Sequence, residues 1–331
     1  MHSELQSGRR VRAVGPHGTV GVVSPASCVE RSALEAGCRA LGALNGWQVA
    51  TSPFALLREE GGFAGSAAAR AAALMELWLR DDVDAVICAR GGYGSNYLLP
   101  LLDFDALRMM PKAFVGYSDN TCLLLALERA GLVTFHGPMV ASDFATGSAD
   151  EDSFRAALGG RAQDLSFSVG PKVQTLAPGE ARGTITGGCL SVVVTSLGTP
   201  WEIETQGKIL FLEDVNERPY RIDRMLRHLL LAGKFSGVRG IVFGAMRGCA
   251  PTSAQEEPLA QMILRVLGGL RIPMVLGFPS GHVDQGNMAQ GNVAQGNITL
   301  PFGVPAALQA SETGVRLQIE AATFMAMQYA N

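Results

Sequence analysis

The N-terminal half of the chain alternates short apolar runs with longer amphipathic segments. Strand-length apolar runs lie at 19–23, 47–50, 83–88, 113–115 and 132–135, and helical patterns lie at 30–44, 67–80 and 122–131. In the second of these helices, Leu74, Leu77 and Trp78 recur at the i, i+3, i+4 spacing of one apolar face. Strands that alternate with helices predict a parallel, doubly wound α/β sheet of the flavodoxin-like kind. Such sheets bind ligands beyond the carboxyl ends of their strands.

The C-terminal half is richer in glycine, threonine and proline, and the alternation lapses at 150–172. We therefore predict a boundary near residue 160, with an α/β domain at 1–160 and a smaller, β-rich domain at 161–331. Strands are expected at 208–212, 238–243 and 273–277, helices at 190–197, 220–231 and 258–267, and a strand with a turn at 182–189.

The composition is that of a folded globular protein. Hydrophobic residues make up 47% of the 331 residues and charged residues 17%, which argues against disorder. The formal net charge of -3 gives no electrostatic reason to expect nucleic acid or an anionic membrane as a partner. No apolar run approaches the ~20 residues of a membrane-spanning helix. The first dozen residues lack the apolar core of a secretory signal, so we expect a cytoplasmic protein.

The cysteines do not indicate a metal site or a disulfide framework. The six cysteines are scattered without a C-x-x-C pair, and no His/Asp/Glu set has convincing metal spacing. We expect buried thiols, no metal and no cofactor.

The segment from Pro111 to Gly131 joins a predicted strand directly to a predicted helix, and Ser118 lies at the junction. A serine at such a turn exposes its hydroxyl at the carboxyl edge of the sheet, beside helix N-terminal amides. However, Ser-Asp-Asn-Thr at 118–121 also supplies four preferred N-cap residues. Asn120 also replaces the second glycine of the G-x-S-x-G pattern. A nucleophile and a simple helix cap are both open on this segment alone.

A glycine cluster, RGGYG at 90–94, follows the strand that precedes this segment. It lacks the spacing of a dinucleotide fingerprint or a P-loop, and a tight turn would explain it. Free backbone amides in such a loop also bind anions. Beside Ser118, the loop could supply one oxyanion donor and the amide of Asp119 a second.

A serine nucleophile needs a base, and the chain has five histidines. His282 is the first candidate because it follows a strand, in a polar loop beside a glycine. His136 also follows a strand, but its Gly-Pro neighbours suit a structural turn. The remaining three are a tail residue, a residue before the first strand and a residue on a solvated helix face: His2, His17 and His228.

Three acidic residues near one strand end are candidates to orient the base. Glu213 ends the apolar run at 208–212. Asp214 and Glu217 are more simply explained as charges at the start of the following helix, where the helix dipole favours them.

These motifs, taken in order, resemble the LD-carboxypeptidase family of serine peptidases, which includes the microcin C immunity peptidases. The segments that carry the resemblance are RGGYG at 90–94, GYSD at 116–119, HGP at 136–138, FLEDVNERPYRIDR at 211–224 and GH at 281–282. The resemblance covers nearly the whole chain.

The resemblance implies a Ser-Glu-His triad at Ser118, Glu213 and His282, and an oxyanion hole from the N–H groups of Gly92 and Asp119. It implies an α/β domain carrying the serine, a smaller β-rich domain carrying the other two residues, and a cytoplasmic homodimer. The expected reaction is metal-independent hydrolysis of the amide between an L-centre and a C-terminal D-residue.

The resemblance also suggests the substrate and its rivals. The expected substrate is a cytosolic muropeptide, a tetrapeptide that loses its terminal D-Ala during cell-wall recycling. One alternative is a peptidyl-nucleotide, cleaved as by a microcin C immunity peptidase. An alternative of another class is a non-catalytic α/β protein that binds an anion through the glycine cluster and the 118–121 amides.

The chain departs from the family pattern in three places. Cys189 stands where asparagine is common, and Tyr97 where arginine is usual. At 285–297 the triplet QGN recurs three times at a five-residue period, which matches neither strand nor helix. A neutral duplication in a surface loop and a lid beside His282 are both open explanations of this repeat.

Overall fold

The computed structural model describes residues 11–161, 165–169, 173–251, 257–283 and 296–320. Its strands and helices, in chain order, are β1 (Thr19–Val23), α1 (Arg31–Ala43), β2 (Gln48–Thr51), α2 (Ala67–Leu79), β3 (Ala85–Cys88), α3 (Phe104–Met109), β4 (Ala113–Gly116), α4 (Thr121–Arg129), β5 (Thr134–His136), α5 (Glu151–Leu158), β6 (Ser166–Val169), β7 (Gln174–Ala177), β8 (Gly179–Cys189), α6 (Leu190–Thr195), β9 (Lys208–Val215), α7 (Pro219–Leu231), β10 (Gly240–Arg247), α8 (Leu259–Leu267), β11 (Met274–Leu276), β12 (Leu300–Phe302), β13 (Val304–Ser311) and β14 (Gly314–Ile319). No helix in this described part is long and apolar enough to cross a bilayer.

The first sheet has the predicted doubly wound form. Its strand order is β12-β5-β4-β3-β1-β2, and β1 to β5 are all parallel. Strands β3 and β4 are buried at every position, as expected when helices cover both faces of a parallel sheet. This burial explains why their sequences are continuous apolar runs rather than alternating ones.

The second sheet is larger than the sequence pattern suggested. Its eight strands run β6-β14-β13-β8-β9-β10-β11-β7. The central four, β8 to β11, are parallel, with α7 and α8 in the connections, and antiparallel strands flank them. The C-terminal half is thus β-rich, as predicted, but it also contains a parallel α/β core. The predicted boundary near residue 160 falls between α5 and β6, and it stays a prediction.

Strand β12 connects the two halves of the molecule. After β11 in the second sheet, the chain passes through residues 277–283 and returns as β12, which pairs antiparallel with β5 in the first sheet. In this pairing Leu300 lies opposite His136. Because the chain crosses here, the loop after β11 lies at the carboxyl edge of the first sheet.

One apolar core extends across both sheets. Val115 of β4, Phe211 of β9 and Leu308 of β13 belong to the same buried cluster, and all three are fully buried. Each fully buried apolar side chain of this size contributes about 1.5–3 kcal/mol relative to exposure. The shared core therefore fixes the carboxyl ends of β4 and β9 relative to each other.

Candidate active site

Ser118 lies on a strained turn between β4 and α4. The short 3₁₀ turn Ser118–Asn120 joins these two elements, and Ser118 has a backbone φ of 61°. A positive φ is uncommon for a residue other than glycine and occurs where the surrounding structure enforces it. The turn leaves Ser118 partly exposed between two residues, Tyr117 and Asp119, that are buried. The predicted strand-to-helix placement of the serine is confirmed.

The side chains of the 118–121 segment do not cap helix α4. Asp119 accepts a hydrogen bond from the Ser95 backbone N–H at 2.8 Å, and Asn120 accepts one from the Ser95 hydroxyl at 2.9 Å. The hydroxyl of Thr121 accepts one from the backbone N–H of Cys189 at 3.0 Å. These polar residues instead tie the turn to the segment after the glycine cluster and to the end of β8. The helix-cap explanation of this segment is therefore wrong.

The glycine cluster packs directly against the serine. A methyl group at Gly91 would lie 2.9 Å from Ser118 Cβ and 3.4 Å from the amide nitrogen of Asp119, so this contact requires glycine. Gly92 follows with φ of 109°, and a side chain there would overlap Ser27. The loop thus lies where oxyanion donors would be needed, and the donor roles of Gly92 and Asp119 stay predictions.

Arg70 supports this loop and was not singled out from the sequence. It is 97% buried on helix α2, and its guanidinium donates to the carbonyl oxygens of Pro25 at 2.5 Å and Gly94 at 2.7 Å. A buried arginine is rare unless it is paired. The available signal was an arginine within the alanine-rich pattern of α2, which the apolar face alone does not explain.

His282 lies between Ser118 and Glu213. Its Nε2 is 3.1 Å from Ser118 Oγ, and its Nδ1 is 2.7 Å from Glu213 Oε2. The carboxylate can only accept, so Nδ1 carries the hydrogen and Nε2 can accept from the serine hydroxyl. The backbone N–H of His282 donates to the same Glu213 oxygen at 3.1 Å. The structure thus brings the three predicted residues together in one continuous chain of hydrogen bonds.

The Glu213 carboxylate is fully buried at the parallel-sheet part of β9, and Gly281 approaches it closely. Gly281 has φ of 99°, and a methyl group there would lie 2.5 Å from Glu213 Oε2. The glycine that precedes the histidine is therefore needed for close packing on the carboxylate.

The environment of the site favours the charged forms of both Glu213 and His282. Burial raises the pKa of Glu213, but the charge of His282 and contacts with His136 and His282 outweigh burial and bring this pKa to about 2. Burial lowers the pKa of His282, but the charge and hydrogen bond of Glu213 raise it above the usual 6.5. Each shift reflects attraction between a carboxylate and an imidazolium in a site of low polarity.

The other acidic candidates serve local structure. Asp214 accepts hydrogen bonds from the backbone N–H groups of Ser191 at 2.9 Å and Val215 at 2.8 Å. Glu217 lies two residues before helix α7 and pairs with Arg221 at 3.5 Å. The preference for Glu213 over its neighbours agrees with this geometry.

Two other histidines lie in contrasting places, His228 at the surface and His136 in the core. His228 is exposed on α7, as predicted from its charged neighbours. His136, which the sequence placed second as a base, is fully buried and faces Glu213 rather than the serine. It cannot be the base that contacts Ser118, because His282 occupies that position.

The last copy of the QGN repeat supports the histidine loop. Residues 284–295, which hold most of the repeat, lie outside the described residues. Asn297 is fully buried, accepts a hydrogen bond from Gly281 N–H at 2.8 Å and donates to Asp143 at 3.2 Å. This end of the repeat is therefore a structural support of the His282 loop.

A hydroxyl, an imidazole and a buried carboxylate linked in this order at the carboxyl edge of a sheet form the arrangement of serine hydrolases. Comparison with known families agrees with this class. Residues 20–137 match the LD-carboxypeptidase N-terminal domain, and residues 182–308 match the LD-carboxypeptidase C-terminal domain. The chain belongs to the LD-carboxypeptidase family, a family of serine-type carboxypeptidases.

Individual relatives extend over nearly the full length. A Bacillus subtilis protein named "Probable murein peptide carboxypeptidase" is 35% identical over 307 residues, covering 91% of this chain and 92% of the relative. The microcin C7 self-immunity protein MccF of Escherichia coli is 27% identical over 283 residues, covering 76% of this chain and 79% of MccF. The crystal structure of a muramoyltetrapeptide carboxypeptidase from Oxalobacter formigenes superposes with a TM-score of 0.78 at 30% identity, covering 92% of this chain and 99% of the other.

Proposed function

We propose that this protein is a serine LD-carboxypeptidase that hydrolyses the amide between an L-centre and a C-terminal D-amino acid. The observation that carries the proposal is the hydrogen-bond chain from Ser118 Oγ through His282 to Glu213, with distances of 3.1 Å and 2.7 Å. Both distances lie within the range at which a base takes the proton of a nucleophile and is oriented by a third group.

The first half of the reaction forms an ester on the serine. Ser118 Oγ attacks the scissile carbonyl carbon while His282 Nε2 takes the hydroxyl proton, and Glu213 stabilises the resulting imidazolium. The N–H groups of Gly92 and Asp119 donate hydrogen bonds to the carbonyl oxygen and stabilise the negative charge that develops on it. His282 then gives the proton to the leaving nitrogen, the C–N bond breaks and the D-amino acid departs.

The second half restores the enzyme. A water molecule gives a proton to His282 and attacks the ester carbon, and the proton then passes to Ser118 Oγ as the C–O bond breaks. No metal ion takes part in either step. The product is the shortened peptide with a new C-terminal carboxylate.

The substrate we propose is a murein tetrapeptide that loses its terminal D-Ala in the cytoplasm during cell-wall recycling. The names of the Bacillus and Oxalobacter relatives support this substrate class, and their sequence identity to this chain, 35% and 30%, exceeds the 27% of MccF. We further propose a homodimer, which sedimentation at several protein concentrations would test.

A labelling and turnover experiment tests the proposal. A fluorophosphonate should label the wild-type protein and leave Ser118→Ala unlabelled. The wild type should release D-Ala from a murein tetrapeptide, and in Ser118→Ala the rate of this release should be lower by a factor of about 10⁴–10⁶. Full activity of Ser118→Ala would refute a serine nucleophile. Turnover of an aminoacyl sulfamoyl nucleotide without D-Ala release would favour the microcin-type activity, and neither labelling nor turnover would favour an anion-binding protein.

A further inference from the structure

The Glu213 carboxylate uses only one of its oxygens for His282, and its second oxygen faces another histidine. Glu213 Oε1 lies 3.9 Å from His136 Nε2, and both side chains are completely buried. Within the part of the chain that the structure describes, neither atom has a hydrogen-bond partner. Buried polar atoms without partners are rare, and an unpaired charged oxygen is the most unfavourable kind.

The other ring nitrogen of His136 shows which form of the imidazole fits this position. His136 Nδ1 lies 3.2 Å from Ser280 Oγ, and the same hydroxyl donates to the Ile298 carbonyl oxygen at 2.7 Å. A serine hydroxyl has one hydrogen. Because the shorter contact takes that hydrogen, Ser280 Oγ accepts from His136, and Nδ1 carries a hydrogen.

A neutral imidazole with its hydrogen on Nδ1 would direct the lone pair of Nε2 at the Glu213 carboxylate. Two acceptors would then face each other in a buried site. Only the imidazolium has a hydrogen on both ring nitrogens, so it donates to Ser280 and to Glu213 while the Ser280 hydroxyl keeps its bond to the Ile298 carbonyl oxygen. An approach of about 0.7–1.2 Å brings Nε2 and Oε1 into hydrogen-bond range.

We propose that His136 is an imidazolium whose Nε2–H donates to Glu213 Oε1, so that the carboxylate is shared by two histidines. His136 is then a positioning residue that acts through Glu213 and does not touch the reacting atoms. This role rests on the proposed function of Glu213 and His282. The ring is fixed by Phe302, stacked with centroids 5.6 Å apart, and by Phe211 at 4.9 Å.

The second histidine changes the charge that His282 experiences. A positive charge next to Glu213 Oε1 offsets part of the carboxylate charge, so His282 becomes easier to deprotonate. The other titratable or charged groups around this pair belong to several elements: Tyr117, Cys189, Asp214 and Arg247. Burial raises the pKa of both the Tyr117 hydroxyl and the Cys189 thiol, so these groups stay neutral near pH 7.

Nitrogen NMR of protein labelled with ¹⁵N-histidine tests the charge state directly. Only five histidines contribute, and loss of signals in His136→Gln assigns the residue. At pH 7 we expect protonated-type shifts for both ring nitrogens of His136. In Glu213→Gln we expect one of them to move to the lone-pair type. A neutral His136 ring in the wild type, with the hydrogen on either nitrogen, would overturn the proposal. Because the spectrum needs no substrate, it decides the question even if the peptidase proposal fails.

Kinetics then separate positioning from a structural role. His136→Leu removes the charge and the donor, so kcat should fall about tenfold or more. The acid limb of kcat/KM should also move to higher pH by about 0.5 unit or more, because the pKa of His282 rises. His136→Gln keeps an N–H donor, so it should retain more kcat while showing the same shift of the limb. The exposed His228→Gln is the matched control and should change neither. If kcat falls in both His136 variants but the acid limb of kcat/KM stays at the same pH, the proposal is overturned.

Discussion

Replacement of Gly281 by alanine should displace the carboxylate on which the proposed mechanism depends. The new methyl group would lie 2.5 Å from Glu213 Oε2 and 2.6 Å from its Cδ, whereas ordinary van der Waals contact begins at 3.4 Å. Either the carboxylate or the loop that carries His282 must therefore move by about 1 Å. The carboxylate is fully buried in β9 and has little space to retreat.

Two effects contribute to the magnitude. The positive φ of 99° costs an alanine about 1–2 kcal/mol in stability. Overpacking of a well-filled site adds about 1–3 kcal/mol. A displacement of about 1 Å between groups of a catalytic site can lower the rate about 100-fold. We expect Gly281→Ala to show a free energy of unfolding lower by about 2–5 kcal/mol and a kcat/KM lower by about 100-fold.

Gly131→Ala is the matched control for this experiment. Gly131 also has a positive φ, of 85°, but a methyl group there would meet no atom within 4 Å. Backbone strain should lower the free energy of unfolding of Gly131→Ala by only about 1–2 kcal/mol, and its kcat/KM should be unchanged. Both variants would be compared by urea unfolding and by release of D-Ala from a murein tetrapeptide. If Gly281→Ala retains a kcat/KM within a factor of two of the control, the packing of this glycine on Glu213 does not govern the reaction.

Three further predictions concern the same site. Because the pKa of His282 is raised, kcat/KM should fall as the pH drops through a value above 6.5; a pH profile with an acid limb below 6.5 would contradict this. Glu213→Gln should lower kcat far more than Asp214→Asn, because Glu213 bonds to His282 whereas Asp214 bonds to the Ser191 N–H, and equal losses in steady-state assays would show that the wrong carboxylate was chosen. Asn297→Ala should leave the buried N–H of Gly281 unpaired and lower the free energy of unfolding by about 1–3 kcal/mol. An unchanged urea midpoint would show that Asn297 does not stabilise the His282 loop.

The pKa of Glu213 also gives stability a defined dependence on pH. Its value of about 2 in the folded protein lies below the usual value for glutamate of about 4.3. The interaction therefore contributes fully above the unfolded value and is lost as the pH falls toward 2. For His282, whose pKa is raised, the corresponding contribution is present at low pH and is lost as the pH rises through the folded value.

The local sequence predicts the first sheet well because its strands are continuous apolar runs between amphipathic helices. The placement of Ser118 followed from the same pattern, since a short buried strand ran directly into a helix. Strands β6, β7 and β12 to β14 were not predicted as such. These strands are short or alternate between apolar and polar residues. They also depend on partners far away in the chain, as in the pairing of Leu300 with His136.

The sequence by itself determined the elements, the turn that carries Ser118 and, through its motifs, the family to which the chain belongs. It could not determine that the 118–121 side chains bond to Ser95 and Cys189 instead of capping α4, because a cap and a tertiary contact use the same residue types. It could not place His136 against Glu213 either, since 77 positions along the chain separate the two. Only the return of β12 to the first sheet, over an apolar core common to both sheets, brings the serine, the two histidines and the glutamate within a few ångströms of one another.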